Sequence, residues 1–424
     1  MADLLESTAE RLVVKVYSSA IIDPTVEAVP ASDPATTGGQ VLRYVSHSFS
    51  LAKDAYTPAE MRTDKQTPME KHGTRRVPGT INGLLSCSTY KDLFAACLGG
   101  TWTSSLITAS QTDFTSVSAD NTTSKFTFGG GNPVTKGLRA GTMLQFANLS
   151  DVDNNGKTFT IVGFGGSNNR QMTVYPAPDT MTADSAFTMT AVGNSLIMPS
   201  SNHVKRKYAV EVSNSDGDIS RLFTEGRFSG FDFSIAPNAS ATINFSGLWR
   251  NRKVYSGVTA PFFTAPTAET TTDIISSMDG LLVLNSSIVG VATGLSVKFN
   301  RAPTAPAQLH RQGLTPGILL ANAVVTGDFT VFLQDTTFLD LFDDPTTLQA
   351  TEFGLLCYLP ASAAIAPDAM TMFLPRIKIN SNAESIVDGA KAIQCGYAAG
   401  RYLGTTASTG IESTTIQLCD TTVS

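Results

Sequence analysis

The sequence predicts a mainly β protein made of two tandem β domains, each with one short helix, and a smaller β domain inserted into the first. Composition is the first observation that leads there. The 424 residues include 34 glycines and 20 prolines and are 42% apolar but only 16% charged, a mixture that favours short strands joined by tight turns. Alternating apolar segments and an internal repeat are the other two observations. A chain of this length also exceeds one average domain.

The repeat appears when the sequence is compared with itself at an offset of 248 positions. Residues 77–94 then fall on 325–342 without a gap, and both stretches end in the pattern Thr-aromatic-x-Asp-Leu-Phe. The same offset places 49–61 on 297–309. Two unrelated β segments could share a few such matches, but an ungapped run of this length indicates a duplication.

The first copy carries an insert, because the offset falls further along the chain. Tyr208 resembles Phe353 at an offset of 145, and Phe245 resembles Cys395 at 150. Subtracted from 248, these offsets leave 103 and 98 extra residues in the first copy. The predicted domains are 1–100 with 201–260 for the first copy, 101–200 for the insert and 261–424 for the second copy, which starts with a linker at 261–272. Since copy two lacks the insert, we expect the core to assemble without it.

Each copy is predicted to contain two strands, one short helix and then further strands. In the first copy Thr89 is expected to cap the helix, and Gly99 and Gly100 to end it. The turn at 215–217 predicts a hairpin. Predicted strands of the first copy are 48–53, 80–85, 205–213, 227–235 and 241–248. The insert is predicted to form a small barrel or sandwich with strands at 125–128, 143–146, 158–162, 171–174 and 186–190.

No motif supplies the site of an enzyme, a metal or a cofactor. The four histidines show no metal-binding spacing. Residues 151–156 resemble the start of a calcium loop, but its twelfth position is Val162 instead of glutamate. The glycine-rich stretches lack the lysine of a phosphate-binding loop, and no nucleophile motif is present. We therefore predict no catalytic residue, no metal and no cofactor; an enzyme whose site assembles from distant residues is the alternative.

Charge and cysteine usage exclude further classes. The net charge is −6 and no long basic run occurs, which argues against a tight nucleic-acid binder. The first 20 residues lack the apolar segment of a signal peptide, and no stretch of about 18 apolar residues predicts a membrane span. Five cysteines without CxxC spacing are expected to be buried thiols of a chain made in a reducing cytoplasm.

Several segments resemble the tail tube proteins of long non-contractile tailed bacteriophages. They are 41–56, 58–66 and 72–86, where a long strand leads through a polar loop into a second one, and 226–247, which is similar to the family's later strand pair. Parts of the insert look like β modules that decorate such proteins. The resemblance covers most of 40–260, and the second copy matches chiefly through the first.

The resemblance implies a structural protein of the virion tail, synthesised in the cytoplasm of a bacterial host. Each tail-tube-type domain would form a β-sandwich and give strands to a closed barrel around a channel, with its helix outside. Six units usually form a ring, so a duplicated chain would form homotrimeric, pseudo-hexameric rings. These would stack into the tube through which the genome is ejected, and a neutral or acidic lumen would suit DNA passage.

The partners implied are further copies of the chain, the tape measure protein and DNA transiently in the lumen, and tail terminator and distal tail proteins at the tube ends; no membrane is implied. A β-rich carbohydrate- or receptor-binding protein of the tail tip is the alternative function.

Charge distribution suggests where copies touch. Residues 41–100 and 201–260 each carry 8 basic and 5 acidic side chains, whereas 261–424 carry 7 and 14. Alternating copies around a ring would therefore attract. We expect the basic loop 62–76 to reach an acidic surface at 335–344 of a neighbouring subunit or the next ring; a solvated loop is the alternative. The candidate contact residues are Arg62, Lys65, Lys71, Arg75, Arg76, Asp335, Asp340, Asp343 and Asp344.

Overall fold

The computed structural model confirms a mainly β chain with short helices. It describes residues 10–17, 34–61, 63–104, 107–278, 280–284, 287–289, 292–307, 313–334, 339–340, 342 and 352–423. The helices with described bounds are α1 (Lys91–Leu98) and α2 (Thr406–Thr409).

Twenty-nine strands are described. Those before the insert are β1 (Glu10–Val16), β2 (Gln40–Val41), β3 (Ser46–Phe49), β4 (Ala52–Tyr56), β5 (Lys71–Leu84) and β6 (Thr103–Ser104). The insert contains β7 (Thr108–Ser110), β8 (Val117–Asp120), β9 (Lys125–Phe128), β10 (Met143–Ala147), β11 (Thr158–Gly165), β12 (Gln171–Tyr175), β13 (Met181–Asp184) and β14 (Thr188–Val192). The first half then continues with β15 (Asn194–Ile197), β16 (Tyr208–Asn214), β17 (Ile219–Ile235), β18 (Thr242–Trp249) and β19 (Asn251–Ser256). The second half contains β20 (Leu281–Leu284), β21 (Ser287–Ile288), β22 (Ala292–Asn300), β23 (Pro303–Thr304), β24 (Leu319–Leu320), β25 (Val324–Phe332), β26 (Glu352–Pro360), β27 (Ala369–Val387), β28 (Ala390–Ala399) and β29 (Gln417–Asp420).

One antiparallel sheet runs through both halves of the chain, and we call it the inner sheet. Its strand order is β3-β5-β18-β17-β22-β25-β28-β27. The first four strands precede residue 260 and the last four follow residue 291. The pairing of β17 with β22 joins the halves, so the backbone hydrogen bonds cross from one half to the other without interruption.

Each half also has an outer sheet that faces the inner one. The orders are β2-β1-β16-β17-β19 and β21-β20-β26-β27-β29-β15-β6. The long strands β17 and β27 belong to both sheets, because their first parts pair in the outer sheet and their last parts in the inner sheet. In β17 the change occurs at Glu225, whose φ is +53°, beside Gly226, where a Cβ would lie 2.0 Å from the Trp249 indole.

The main core lies between these sheets and includes one face of α1. Phe94 of the helix packs edge-on against Phe231 and Phe245, with ring centroids 5.1 Å away from each. The helix ends as predicted, since Gly99 adopts φ +66° and donates its N–H to Ala95. Thr89 is not its N-cap, however; Tyr90 occupies that position.

Corresponding strands of the two halves pair in the same register. Ser48 pairs with Thr80 between β3 and β5. The residues 248 positions later, Ser296 and Asp328, pair with each other between β22 and β25. β17 has an extra residue between Phe223 and Gly226 where it pairs with β16, and β27 has one between Leu374 and Ile377 where it pairs with β26, at an offset of 151. The bulge of β17 against β18 recurs in β27 against β28 at the same offset.

The insert is a sheet of order β13-β8-β9-β12-β11-β10-β14-β7 with a core of its own. Its five predicted strands are present, the last shifted to β14. The chain enters through β6 and leaves through β15, and these two strands pair with each other, Ser195 opposite Thr103. The insert is therefore attached through two neighbouring strands.

The insert packs on the outer sheet of the second half. Val162 and Ala140 of the insert form one buried cluster with Val283, Leu356 and Phe373. An ion pair of 2.8 Å between Arg139 Nε and Glu412 Oε1 lies at the same contact. Removal of the insert would expose this apolar surface, and assembly of the core without the insert stays a prediction.

The segment at 261–272, expected to be a linker, packs on the outer sheet of the first half. Phe262 and Phe263 are buried with Val13 and Leu222. The carboxylate of Glu211, which is 0% exposed, accepts hydrogen bonds from the backbone N–H groups of both phenylalanines at 2.5 and 3.1 Å. A buried carboxylate needs such partners, so Glu211 and this segment stabilise each other.

Candidate assembly surfaces

Strands β4 and β5 form a hairpin with an exposed tip. Ala52 pairs with Arg76, and Tyr56 pairs with Lys71. Residues 57–70 connect the strands, and their side chains include Met61 and Met69, which are 103% and 86% exposed. The tip therefore presents two flexible apolar side chains, a residue type that is frequent on binding surfaces.

The predicted basic residues have different environments on this hairpin. Lys65 and Lys71 are exposed. Arg76 forms a bidentate ion pair with Asp54, in which the two guanidinium Nη atoms lie 2.8 and 2.9 Å from the two carboxylate oxygens. The charge of Arg76 is therefore neutralised within its own hairpin. Arg75 is half-buried and donates its backbone N–H to the carbonyl of Gly313 at 2.7 Å. Arg62 lies outside the described residues.

Of the predicted acidic partners, Asp340 is exposed. Asp335, Asp343 and Asp344 lie outside the described residues. The structure therefore locates an exposed acidic side chain at one of the four positions. The contact between the basic loop and this acidic surface stays a prediction.

The pairing of β17 with β22 joins the two halves of the chain through side chains on both faces of the sheet. Phe231 pairs with Phe299, and their rings are stacked with centroids 5.4 Å apart and an interplanar angle of 6°. Phe233 pairs with Val297 on the same face. On the other face Lys298 Nζ lies 3.7 Å from an oxygen of Asp232. Apolar packing on the core side therefore accompanies the backbone pairing.

A buried charged cluster lies against the segment at 313–318, which comes 248 positions after residues 65–70 of the basic loop. Arg250 forms an ion pair with Glu225 and donates from Nε to the carbonyl of Thr315 at 2.7 Å. Arg227 donates to the carbonyl of Ile318 at 3.1 Å, and burial lowers its pKa to about 10. Backbone carbonyls from one half thus satisfy buried guanidinium groups of the other. No local sequence pattern indicates these contacts.

The inner sheet has an edge strand at each of its two ends, and neither edge was predicted from the sequence. Among the described strands, β3 pairs only with β5, and residues 381–387 of β27 pair only with β28. Ile386 on the second edge is 76% exposed. Such edges present unpaired N–H and C=O groups and are templates for pairing with another chain.

The inner-sheet face that points away from the core is polar. Side chains directly opposite one another across the sheet point to the same face. Two neighbouring rows on this face are Asn82, Asn244, Asp232, Lys298 and Thr326, and Ser48, Thr80, Ser246, Gly230 and Asn300. Amides and hydroxyls dominate both rows, and the charges of Asp232 and Lys298 offset each other.

Metal clusters and membrane-spanning helices are absent from the residues that the structure describes. Within these ranges no cluster of three or more His, Cys, Asp or Glu side chains could hold a metal ion. No helix described for the chain is long and apolar enough to cross a membrane.

Comparison with known protein families identifies a family. The family described as phage tail tube protein matches residues 22–356, more than three quarters of the chain. No curated protein matches the sequence. Members of this family are structural proteins of the virion tail that assemble with their own copies into a tube, and they are not enzymes. This chain therefore belongs to the phage tail tube protein family.

Proposed function

We propose that the chain is the tail tube subunit of a long non-contractile phage tail and that it carries two tail tube domains. The first comprises 1–100 with 201–260, the second 261–424, and 101–200 is an inserted domain. The equal registers of β3–β5 and β22–β25, at a common offset of 248, support the duplication. The bulges of β17, which recur in β27 at an offset of 151, support it independently.

In this proposal three chains close into a pseudo-hexameric ring. One chain contributes eight strands to the inner sheet, so three contribute twenty-four. Strands about 4.8 Å apart and tilted by about 40° give a closed barrel about 48 Å in backbone diameter. Side chains reaching about 5 Å inward leave a channel about 38 Å wide, enough for a DNA duplex.

The polar face of the inner sheet would line this channel. Its asparagines, serines and threonines give it few charges, and the Asp232–Lys298 pair is close to neutral. Such a surface would not retain phosphates as a basic one does. DNA and the tape measure protein would occupy the lumen transiently, and tail terminator and distal tail proteins would bind the ends of the tube.

The β4–β5 hairpin would contact a neighbouring subunit or the next ring. Lys65 and Lys71 are suited to this because both are exposed. Arg76 is less suited, because Asp54 already matches its charge. Arg62 and Arg75 complete the basic side, and Asp335, Asp340, Asp343 and Asp344 form the proposed acidic side.

The observation that carries the proposal is the eight-stranded inner sheet, which crosses both halves and ends in two unpaired edges. Electron microscopy and native mass measurement of the purified protein test it. We expect tubes or rings, with three chains of 44.8 kDa, about 134 kDa, per ring. Rings of six chains would refute the duplicated-ring arrangement, and discrete particles that never form rings or tubes would refute the tube function.

A further inference from the structure

The two unpaired edges of the inner sheet correspond in position to the two strands of the internal junction. Residues 381–386 of β27 lie 151 positions after 230–235 of β17, the offset at which the β17 bulge recurs. Residues 47–52 lie 248 positions before 295–300 of β22, the offset of the matching registers. One edge of the inner sheet therefore corresponds to β17, and the opposite edge corresponds to β22, the strand with which β17 pairs.

We propose that residues 381–386 of one chain pair antiparallel with residues 47–52 of a partner chain in the register of the internal junction. This rests on the proposed ring and assigns the contact that closes it. Phe231 opposite Phe299 becomes Asn382 opposite Leu51 of the partner subunit. By the same shift, Ser385 lies opposite Ser48 of the partner subunit, and Ala383 opposite Ser50 of the partner subunit.

Both edges have the geometry that this pairing needs. Ser50 continues the β3 register, since its N–H bonds the carbonyl of Pro78 at 3.3 Å, and β4 resumes with Ala52 opposite Arg76. The edge from Ser46 to Ala52 thus follows β5 without a register shift. Ser46 pairs with Asn82 and Ala52 with Arg76, so six positions along one strand match six along the other. Pairing removes two exposed edges per contact, and closure of a ring removes them all.

The intermolecular junction differs from the internal one in its core-facing side chains. Asn382 lies opposite Cys395 and Glu384 opposite Ile393, and both of these partners are 0% exposed. Asn382 and Glu384 therefore point to the core face of the sheet. Their positions correspond to Phe231 and Phe233, so an amide and a carboxylate replace two phenyl rings.

The carboxylate of Glu384 explains why this edge of the inner sheet stays unpaired in a single chain before assembly. An inward-pointing charge on an edge strand discourages pairing with arbitrary strands. In the single chain Glu384 is exposed and lies 3.8 Å from the ammonium of Lys391. Pairing with the edge of the partner subunit must desolvate this carboxylate, so the intermolecular junction is weaker than the internal one and forms only where the whole contact is complementary.

Disulfide cross-linking between variants that each carry one added cysteine tests the register. The variants are Ser48→Cys, Ser50→Cys, Ala383→Cys and Ser385→Cys, assembled in pairwise mixtures and oxidised. The five natural cysteines are buried and serve as an internal background. Directly opposite residues lie about 4.5–5.5 Å apart, within disulfide reach, whereas diagonal ones lie about 7–8 Å apart, beyond it.

We expect cross-linked dimers from 385 with 48 and from 383 with 50, and at least tenfold less from the exchanged mixtures, 385 with 50 and 383 with 48. Rings or tubes that cross-link equally in the exchanged mixtures, or in none, overturn the register and leave the tube function standing. A natural chain that forms neither rings nor tubes overturns the tube function instead, and this contact with it.

Discussion

Removing the insert should destabilise the second half of the chain, although that half is complete in sequence without it. Ser104 and Asn194 pair at the base of the insert, so residues 105–193 can be replaced by a two-residue Asn-Gly turn without straining either strand. The deletion exposes Val283, Leu356 and Phe373, which the insert now buries.

The size of the effect follows from these three side chains. Losing the burial of each costs about 1.5–3 kcal/mol, about 5–9 kcal/mol together, comparable with the whole stability of a typical domain, about 5–15 kcal/mol. At about 2–4 °C per kcal/mol, the unfolding midpoint measured by calorimetry should fall by more than 10 °C. We also expect aggregation through the exposed apolar surface.

A second deletion variant serves as the control, with Val283, Leu356 and Phe373 all replaced by threonine. It should remain soluble, because the apolar patch is gone, while its unfolding midpoint stays low. A simple deletion that unfolds within about 3 °C of the full chain and stays soluble would show that the insert contributes nothing to the second half.

Four further changes have expected outcomes. Glu211→Leu leaves two buried N–H groups without acceptors and should lower the free energy of unfolding in denaturant titrations by about 2–4 kcal/mol; an unchanged value contradicts the anchoring of 261–272. Glu384→Phe should lower the protein concentration needed for tube formation about tenfold or more, since burying a phenyl ring contributes about 1.5–3 kcal/mol; turbidity measures this, and an unchanged threshold argues against a buried position. Lys65→Glu with Lys71→Glu should weaken ring stacking most at low salt, and identical salt dependence in light scattering would exclude the loop as a contact. Burial raises the pKa of Cys395 to about 11, above its unfolded value of about 8.5, so stability should be full below pH 8.5 and fall as the pH rises towards 11; Cys395→Val should flatten this decline, and an unaltered slope would assign it to other groups.

Local periodicity predicted much of the strand content. The alternation of 205–213 became β16, and the turn at 215–217 connects it to β17. The sequence could not predict that β17 serves two sheets, because the backbone change at Glu225 occurs within one uninterrupted strand. A strand assignment from alternation identifies which residues share a face but not which strand lies beside them.

Long-range contacts account for what the sequence concealed at the candidate surfaces. The run of proline and threonine at 261–272 predicts a linker, yet Phe262 and Phe263 are buried because Glu211, about fifty residues earlier, accepts their N–H groups. Counting outward from the hairpin tip would not find the Arg76–Asp54 pair, because the register shifts between Lys53 and Ala55. The edge formed by 381–387 could not be predicted either, because its exposure depends on the order of all eight inner strands.

In the proposed ring, the β17–β22 junction would also restrict how many domains the ring can contain. Because this contact lies within one polypeptide, domains would enter a ring in pairs, and closures with five or seven domains would be impossible. Half of the six contacts around such a ring would exist as soon as the chain has folded, so assembly would form three new contacts instead of six. Linking two units in one chain would thus lower the entropy cost of ring closure. Because only even numbers of domains could close a ring, the diameter of the tube would also vary less.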